Sequence, residues 1–90
     1  MHAVVVNVTV GDRETAEQAL RDEVVPRVSQ LPGFVAGYWT RPTDGAKNGM
    51  SMIIFESEEG ARTAAERVRQ APPPTVSVDG VEVREVVAHA

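Results

Sequence analysis

The sequence predicts an α+β protein in which four strands and two helices follow in the order β-α-β-β-α-β. Three segments, 2–10, 34–41 and 50–56, are rich in strand-forming residues and are bounded by turn residues, and the chain closes on a fourth, valine-rich strand. Two intervening segments repeat their apolar residues every three or four positions, as helices with one buried face do. The chain has 90 residues and is predicted to form one domain, 1–90.

The first strand, 2–10, is largely apolar on both faces. Alternation places Val4, Val6, Val8 and Val10 on one face and Ala3, Val5, Asn7 and Thr9 on the other. A strand of this kind is typical of the middle of a sheet that is covered on both sides.

The first helix is predicted to begin after Asp12, which can accept a hydrogen bond as its N-cap. Its apolar stripe consists of Ala16, Leu20, Val24, Val28 and Leu31. Because Pro26 removes one backbone hydrogen bond, we expect a kink or two abutting helical pieces. Pro32 and Gly33 end the helix, since proline cannot continue it and glycine tolerates a left-handed exit.

The second strand, 34–41, holds three of the four aromatic residues of the chain. Strand alternation predicts that Tyr38 and Trp39 point to opposite faces, with Arg41 on the face of Trp39 and Phe34 on the face of Tyr38. At most one of the two polar-tipped aromatics can therefore line a given cleft, while the other serves packing or a subunit contact.

A polar loop at 41–49 contains two glycine turn pairs and is predicted to join strands two and three as a hairpin. The third strand, 50–56, carries Met50 and Met52 on one face and Phe55 on the other. Methionines on one strand face can form an adaptable pocket wall or fill gaps in a core.

The second helix is predicted to begin after Ser57, a good N-cap, and to end at the proline triplet 72–74. Its buried face is made of small residues, namely Ala61, Ala64, Ala65, Val68 and Ala71. The final strand lies beyond Asp79-Gly80, a common turn pair, and whether 75–78 pairs as an additional short strand stays open.

Composition excludes several classes of function. The formal net charge is -4 without a basic cluster, which argues against a nucleic-acid partner, and the absence of cysteine excludes disulfides and thiolate metal sites. His2 and His89 lie near the termini without further ligands at useful spacing, so we expect no metal site. The first ten residues lack the features of a signal peptide or a membrane span, so we expect a cytoplasmic protein without a membrane partner.

This element order gives the ferredoxin-like arrangement, in which right-handed crossovers place both helices on one face of a four-stranded antiparallel sheet. The other face is then bare. Since the first strand is apolar on both faces, we expect a homodimer in which two sheets cover each other.

Two stretches, VVPRVSQLPGFVAGYW and GMSMIIFESEEGARTAAERV, together with the closing valine-rich strand, resemble the antibiotic biosynthesis monooxygenase superfamily. The resemblance covers most of the chain and implies a dimeric α+β barrel with a cleft between sheet and helices in each subunit. Some members of this family oxygenate electron-rich aromatic substrates without metal or flavin, and others degrade haem.

Haem-degrading members use an Asn on the first strand, a Trp on a later strand and a His on the second helix. Asn7 matches the first of these, but the one tryptophan is Trp39 on strand two, and 57–70 contains no histidine. We therefore expect no haem and no other cofactor.

The residues predicted to contact a ligand are Asn7, Trp39, Tyr38, Arg41, Met52 and Phe55. Asn7 interrupts a valine strand and either orients a ligand oxygen or is satisfied by backbone, water or a subunit interface. For Tyr38 and Trp39 the alternative is ordinary packing. No catalytic residue is identified, because the chain lacks hydrolase, phosphate-binding and dinucleotide-binding motifs.

Three functions are compatible with these observations. The leading hypothesis is a cofactor-free monooxygenase acting on a small aromatic or polyketide-like molecule, with Asn7 as the polar anchor of a cavity lined by Trp39 or Tyr38. The alternative is a non-catalytic homodimer that binds a small apolar ligand or serves a structural role. An RNA-recognition module shares the element order, but Met50 and Met52 stand where stacking aromatics are needed.

Overall fold

The computed structural model describes all residues, 1–90, and confirms the predicted ferredoxin-like β-α-β-β-α-β fold. The elements are β1 (His2–Val10), α1 (Arg13–Ala19), a π-helical segment (Leu20–Val24), α2 (Val25–Val28), β2 (Phe34–Thr40), β3 (Asn48–Phe55), α3 (Glu58–Gln70) and β4 (Val76–Glu85). The four strands form one antiparallel sheet in the order β2-β3-β1-β4. No helix is long and apolar enough to cross a membrane.

The central strand β1 sets the two faces of the sheet. Val4 lies opposite Ile53 of β3 and Val83 of β4, and these residues point toward the helices. The odd-numbered residues of β1 point the other way, as the alternation of the sequence predicts. Val4 and Val6 are buried in the core on the helical side.

The small-residue helix α3 packs directly on the sheet. Its alanines Ala61, Ala64 and Ala65 are buried, and short side chains let the helix approach β1, β3 and β4 closely. Ser57 caps the helix by accepting a hydrogen bond from the Gly60 backbone N–H at 3.1 Å. Both the buried face and the cap agree with the sequence prediction, except that Ala71 is exposed.

The first helical region is interrupted, as the proline predicts. Pro26 has no backbone N–H, and the turn before it widens into a π-helical segment in which the Val25 N–H donates to the Leu20 carbonyl, five residues back. The region ends at Gly33, which has the left-handed φ of 79°. Ala16 is the one buried residue of α1, whereas Leu20 and the later stripe residues are half-buried.

A β-bulge near the start of β2 corrects one prediction. The pairing with β3 shifts between Phe34 and Ala36, so Phe34 lies on the helical side, where its ring meets that of Phe55 edge-on at 6.2 Å. Tyr38 points to the opposite side of the sheet. The prediction that Phe34 and Tyr38 share a face is wrong, because the extra residue in the bulge reverses the alternation.

A second bulge lies in β4, where the pairing with β1 shifts between Asn7 and Val8. Residues 76–78 pair with β1, so they belong to one ten-residue strand that continues through Asp79-Gly80. Asp79-Gly80 therefore marks an irregularity within a strand rather than a turn. The carboxylate of Asp79 accepts a hydrogen bond from the Thr9 hydroxyl at 2.6 Å.

The face of the sheet turned away from the helices, hereafter the open face, carries no covering element. Its apolar side chains are Val5, Tyr38, Met50, Met52 and Ile54. Tyr38 is 63% exposed and Met50 is 43% exposed, although both belong to regular strands. The predicted bare sheet face is thus present in the subunit. It is apolar in its middle and polar along β4, where Glu82 and Arg84 form an ion pair at 3.2 Å.

Candidate functional site

A cavity of about 800 Å³ lies between the sheet and the first helical region. Its floor is formed by side chains of all four strands, including Val6, Val8, Trp39, Ser51, Ile53, Val76 and Val78. The roof is the apolar stripe of the first helical region, with Leu20, Val24 and Val28, and one side is closed by Val68 of α3. The stripe that the sequence predicts as a buried helix face therefore lines a cavity.

The helical roof is held away from the sheet by contacts at its first turns. Arg13 of α1 donates to the Ala46 carbonyl at 3.4 Å, and Arg41 donates to the Glu17 carboxylate at 2.5 Å. Both contacts join α1 to the loop after β2. The far end of the first helical region packs against the core through Val28 and Leu31, and the space for a ligand lies between these two attachments.

The polar groups of the cavity floor are few. Ser51 on β3 is only 9% exposed and lies directly across the strand pair from Trp39. Neither the Ser51 hydroxyl nor the Trp39 indole N–H has a hydrogen-bond partner in the protein, and both residues line the cavity. Both groups are open to the cavity, since the one buried side-chain atom left without a partner is His2 Nδ1. The indole ring lies over Gly37, because a Cβ built there would be 2.7 Å from the ring atom Cη2.

The mouth of the cavity is lined by charged residues, hereafter the rim: Asp12, Arg13, Glu17, Arg21, Arg41 and Lys47. Glu17 bridges two of the cations, with Arg41 Nη1 at 2.5 Å and Arg21 Nη2 at 3.7 Å. Arg13 and Lys47 have no carboxylate partner within ion-pair distance. With four cationic and two acidic side chains, the rim is positive although the whole chain is acidic.

Asp12 at the rim has a structural task. Its carboxylate accepts hydrogen bonds from the Thr15 hydroxyl and from the Thr15 backbone N–H, the latter at 3.3 Å, which caps α1 as predicted. The bond from the Thr15 hydroxyl is the largest cause that lowers the pKa of Asp12 below its ordinary value, and the nearby Lys47 acts in the same direction. The Asp12 carboxylate thus serves as the N-cap of α1.

The structure separates the six predicted ligand contacts into three groups. Trp39 and Arg41 line the cavity, on the shared face that alternation predicts. Phe55 is fully buried in the core and does not line the cavity. Tyr38 and Met52 lie on the open face, where a ligand in the cavity cannot touch them.

Asn7 is also on the open face, opposite Met50 and Gly80, and is exposed. The structure therefore does not place Asn7 in this cavity beside Trp39. The reason is the two-residue period of a strand, which turns Val6 and Val8 toward the cavity and Asn7 away from it. The alternative, that Asn7 belongs to a subunit interface, fits this position.

Sequence reasoning missed Ser51 and Glu17. Alternation along β3 carries a signal for Ser51, since a residue between Met50 and Met52 must face the helical side. Glu17 carries a weaker signal, because it lies three positions before Leu20 at the edge of the apolar stripe. Its contact with Arg41 joins residues 24 positions apart and has no local pattern in the sequence.

No protein-family model matches the sequence, and no curated protein matches it. Solved structures match over the whole chain. SnoaB, a cofactor-independent oxygenase from Streptomyces nogalater, aligns with a TM-score of 0.75 at 13% identity, covering 98% of this chain and 94% of its own. The heme-degrader MhuD from Mycobacterium tuberculosis aligns with a TM-score of 0.66 at 19% identity, covering 100% of this chain and 99% of its own.

A dimeric ferredoxin-like protein from an uncultured marine organism aligns with a TM-score of 0.61 at 11% identity, covering 100% of this chain and 98% of its own. The chain has the fold of these proteins. The likeness of fold extends along the whole length of the chain. At sequence identities this low, the likeness shows that the fold is shared and does not show that the activity is shared.

The residues of this ferredoxin-like cavity do not fit haem. The structure of MhuD contains two hemes bound in its active site. Here no histidine or tyrosine lines the cavity, and the chain has no cysteine. Met50 is among the lining residues, although the strand register turns its side chain to the open face. The cavity therefore offers no histidine, cysteine or tyrosine as an axial ligand for haem iron. The chain also has no cluster of three metal-ligating side chains.

Proposed function

We propose that this protein is a homodimer that binds a small, flat aromatic or polyketide-like molecule in the cavity and oxygenates it with molecular oxygen. The observation that carries the proposal is the pairing of an apolar cavity with a positive rim. The fold shared with a cofactor-independent oxygenase supports this choice of reaction.

The size and lining of the cavity support a small-molecule ligand. A volume of about 800 Å³ lies within the range of about 300–1,000 Å³ that is typical of ligand sites. The walls are valine, leucine and isoleucine side chains with the Trp39 ring among them. An aromatic ligand gains about 25 cal/mol per Å² of apolar surface removed from water, and the indole ring can stack on it.

The rim supports chemistry in which the substrate becomes an anion. Arg13, Arg41 and Lys47 at the mouth favour the ionised form of an acidic phenol or of a methylene group next to a carbonyl. Such a carbanion can react with O₂ directly. With an anthrone, the CH₂ group becomes C=O, one oxygen atom enters the product and the other leaves as water, so the substrate supplies all four electrons.

Oxygen uptake tests this reaction. The purified protein is mixed with a panel of anthrones and quinols, and oxygen consumption is followed with an electrode alongside product absorbance. The proposal expects uptake of one O₂ per quinone formed, at a rate proportional to protein concentration. A rate equal to that of the uncatalysed reaction for every substrate that binds would reject the oxygenase function.

The second candidate function is non-catalytic binding of the same class of molecule. It is favoured by the floor of the cavity, which contains no histidine or carboxylate that can take up a proton. The carboxylate of Glu17 could in principle accept a proton, but it lies at the rim in ion pairs with two arginines. Binding without oxygen uptake would select this function.

The open face supports the homodimer. Apolar side chains such as Tyr38 and Met52 stand exposed there, and large apolar patches on small proteins mark association surfaces. The shared fold with a dimeric ferredoxin-like protein also supports a dimer. Two copies joined through their open faces would form the α+β barrel and leave each cavity on the outer, helical side. Light scattering at several protein concentrations measures the subunit number.

A further inference from the structure

We infer that Ser51 and Trp39 form a hydrogen-bonding anchor that selects aromatic ligands with a keto or phenolic oxygen at their inner edge. This inference rests on the proposed function, because it assumes that the cavity binds a small molecule. It names the chemical group that the floor recognises and the two residues that recognise it.

The anchor consists of two adjacent polar groups on the cavity floor. Ser51 and Trp39 are direct cross-strand neighbours in the β2–β3 ladder, and both face the helical side. Side chains in such pairs have Cβ atoms about 4.5–5.5 Å apart, so one ligand oxygen can reach both. The hydroxyl and the indole N–H are both donors, and the hydroxyl can also accept.

The burial of Ser51 sets it apart from the other serines. It is 9% exposed in the subunit, whereas Ser29, Ser57 and Ser77 are exposed. The Ser51 hydroxyl has no protein partner and is open to the cavity, so a molecule in the cavity can form its hydrogen bond, as polar groups in folded proteins normally require. Val6 on the other side of Ser51 offers no side-chain partner. A ligand oxygen in the cavity would supply the bond.

Gly37 fixes the tryptophan for this role. Because Gly37 has no Cβ, the benzene ring of Trp39 can lie over its Cα, which limits the rotation of the indole. The ring then forms a flat wall for an aromatic ligand, on the strand paired with the one that carries Ser51. The anchor therefore binds an oxygen that lies in the plane of a flat ring system.

A matched pair of probes tests the anchor. Anthraquinone-2-sulfonate and anthracene-2-sulfonate share a flat tricyclic body and a sulfonate for the rim, and they differ in the keto oxygens. Calorimetric titration of the wild-type protein should give tighter binding of the quinone. Ser51→Ala should weaken the binding of the quinone about tenfold, which is the effect of losing one hydrogen bond. It should change the affinity for the anthracene less than twofold.

The control is Ser77→Ala, which removes the same hydroxyl from the open face and should leave both affinities unchanged. Equal losses for both probes in Ser51→Ala, or no loss for either, would overturn the anchor while the cavity stands. If neither probe binds the wild-type protein, the proposed function fails and the anchor fails with it. Far-UV circular dichroism of each variant confirms that the fold is kept.

Discussion

The indole ring of Trp39 occupies the space that a side chain at Gly37 would need. A Cβ on Gly37 would lie 2.7 Å from Cη2 and 2.8 Å from Cζ3 of the ring, well inside van der Waals contact. The position and rotation of the single tryptophan in the chain therefore depend on a glycine two residues before it.

Gly37→Ala should displace the ring, with a loss of stability of about 1–3 kcal/mol, the usual cost of overpacking. Urea unfolding gives the free energy, and the emission maximum of Trp39 reports the displacement. Gly11→Ala is the matched control, because a Cβ there meets nothing within 4 Å. Equal stability and equal emission for the two variants would show that the ring does not rest on Gly37.

Phe55→Leu should lower stability and leave ligand affinity unchanged. The ring of Phe55 is fully buried and meets Phe34 edge-on, so the substitution loses packing and an aromatic pair, together about 1–2 kcal/mol. Titration with anthraquinone-2-sulfonate should agree with wild type within about twofold. A large loss of affinity at full stability would place Phe55 in the site after all. Val87→Ala, at a 90% exposed position, is the control for stability.

The rim should govern the binding of anionic ligands. Arg41→Gln is expected to weaken anthraquinone-2-sulfonate about two- to fivefold, and Glu17→Gln to strengthen it by a similar factor, because exposed charges act weakly through water. Both effects should shrink as salt is raised from 0.05 to 0.5 M. Arg62→Gln, on the exposed side of α3 and outside the cavity, should change nothing. Salt-independent effects would contradict an electrostatic rim.

Acid should weaken the start of α1. The pKa of Asp12 is lowered, chiefly by the hydrogen bond from Thr15, so its carboxylate contributes stability above its ordinary pKa and loses it as pH falls through the lowered value. Asp12→Asn keeps a capping oxygen but does not titrate. The free energy of unfolding, measured with urea from pH 6 to pH 2.5, should therefore fall less steeply for the variant than for the wild-type protein. Parallel curves would show that the Thr15 bond does not favour the carboxylate.

Met52→Glu should separate the proposed dimer. Met52 lies near the middle of the open face, opposite Val5 of β1 and Tyr38 of β2, and burying a carboxylate between two sheets is costly. Sedimentation velocity should show a dimer for the wild-type protein and a monomer for the variant. A wild-type protein that remains a monomer at high concentration would show that the protein is not a homodimer. Thr63→Glu, on the exposed side of α3, is the control.

Local patterns predicted most of the fold because each element carries its own signal. The bounds of β1, the caps Asp12 and Ser57 and the interruption at Pro26 all follow from single residues or short periods. The β-bulges do not, since an extra residue in a strand depends on the pairing of two strands and not on one segment.

The site was predicted less well because it depends on which face a strand turns to the helices. Alternation alone shows that Asn7 and Val8 point apart, but not which of them faces a cavity. Phe34 does not share the face of Tyr38 because of the bulge between Phe34 and Ala36, which the sequence of β2 alone does not reveal. Alternation separates Ser51 from Met50 and Met52, but only the register of β2 and β3 brings it opposite Trp39.

A crystal structure of the protein with anthraquinone-2-sulfonate tests the central claim most directly. We predict electron density for the tricyclic ring beside Trp39, between the π-helical segment and the sheet. A keto oxygen should lie near Ser51, and the sulfonate should lie at the rim. A probe bound on the open face, or a cavity filled by Leu20 and Val24 side chains, would contradict it.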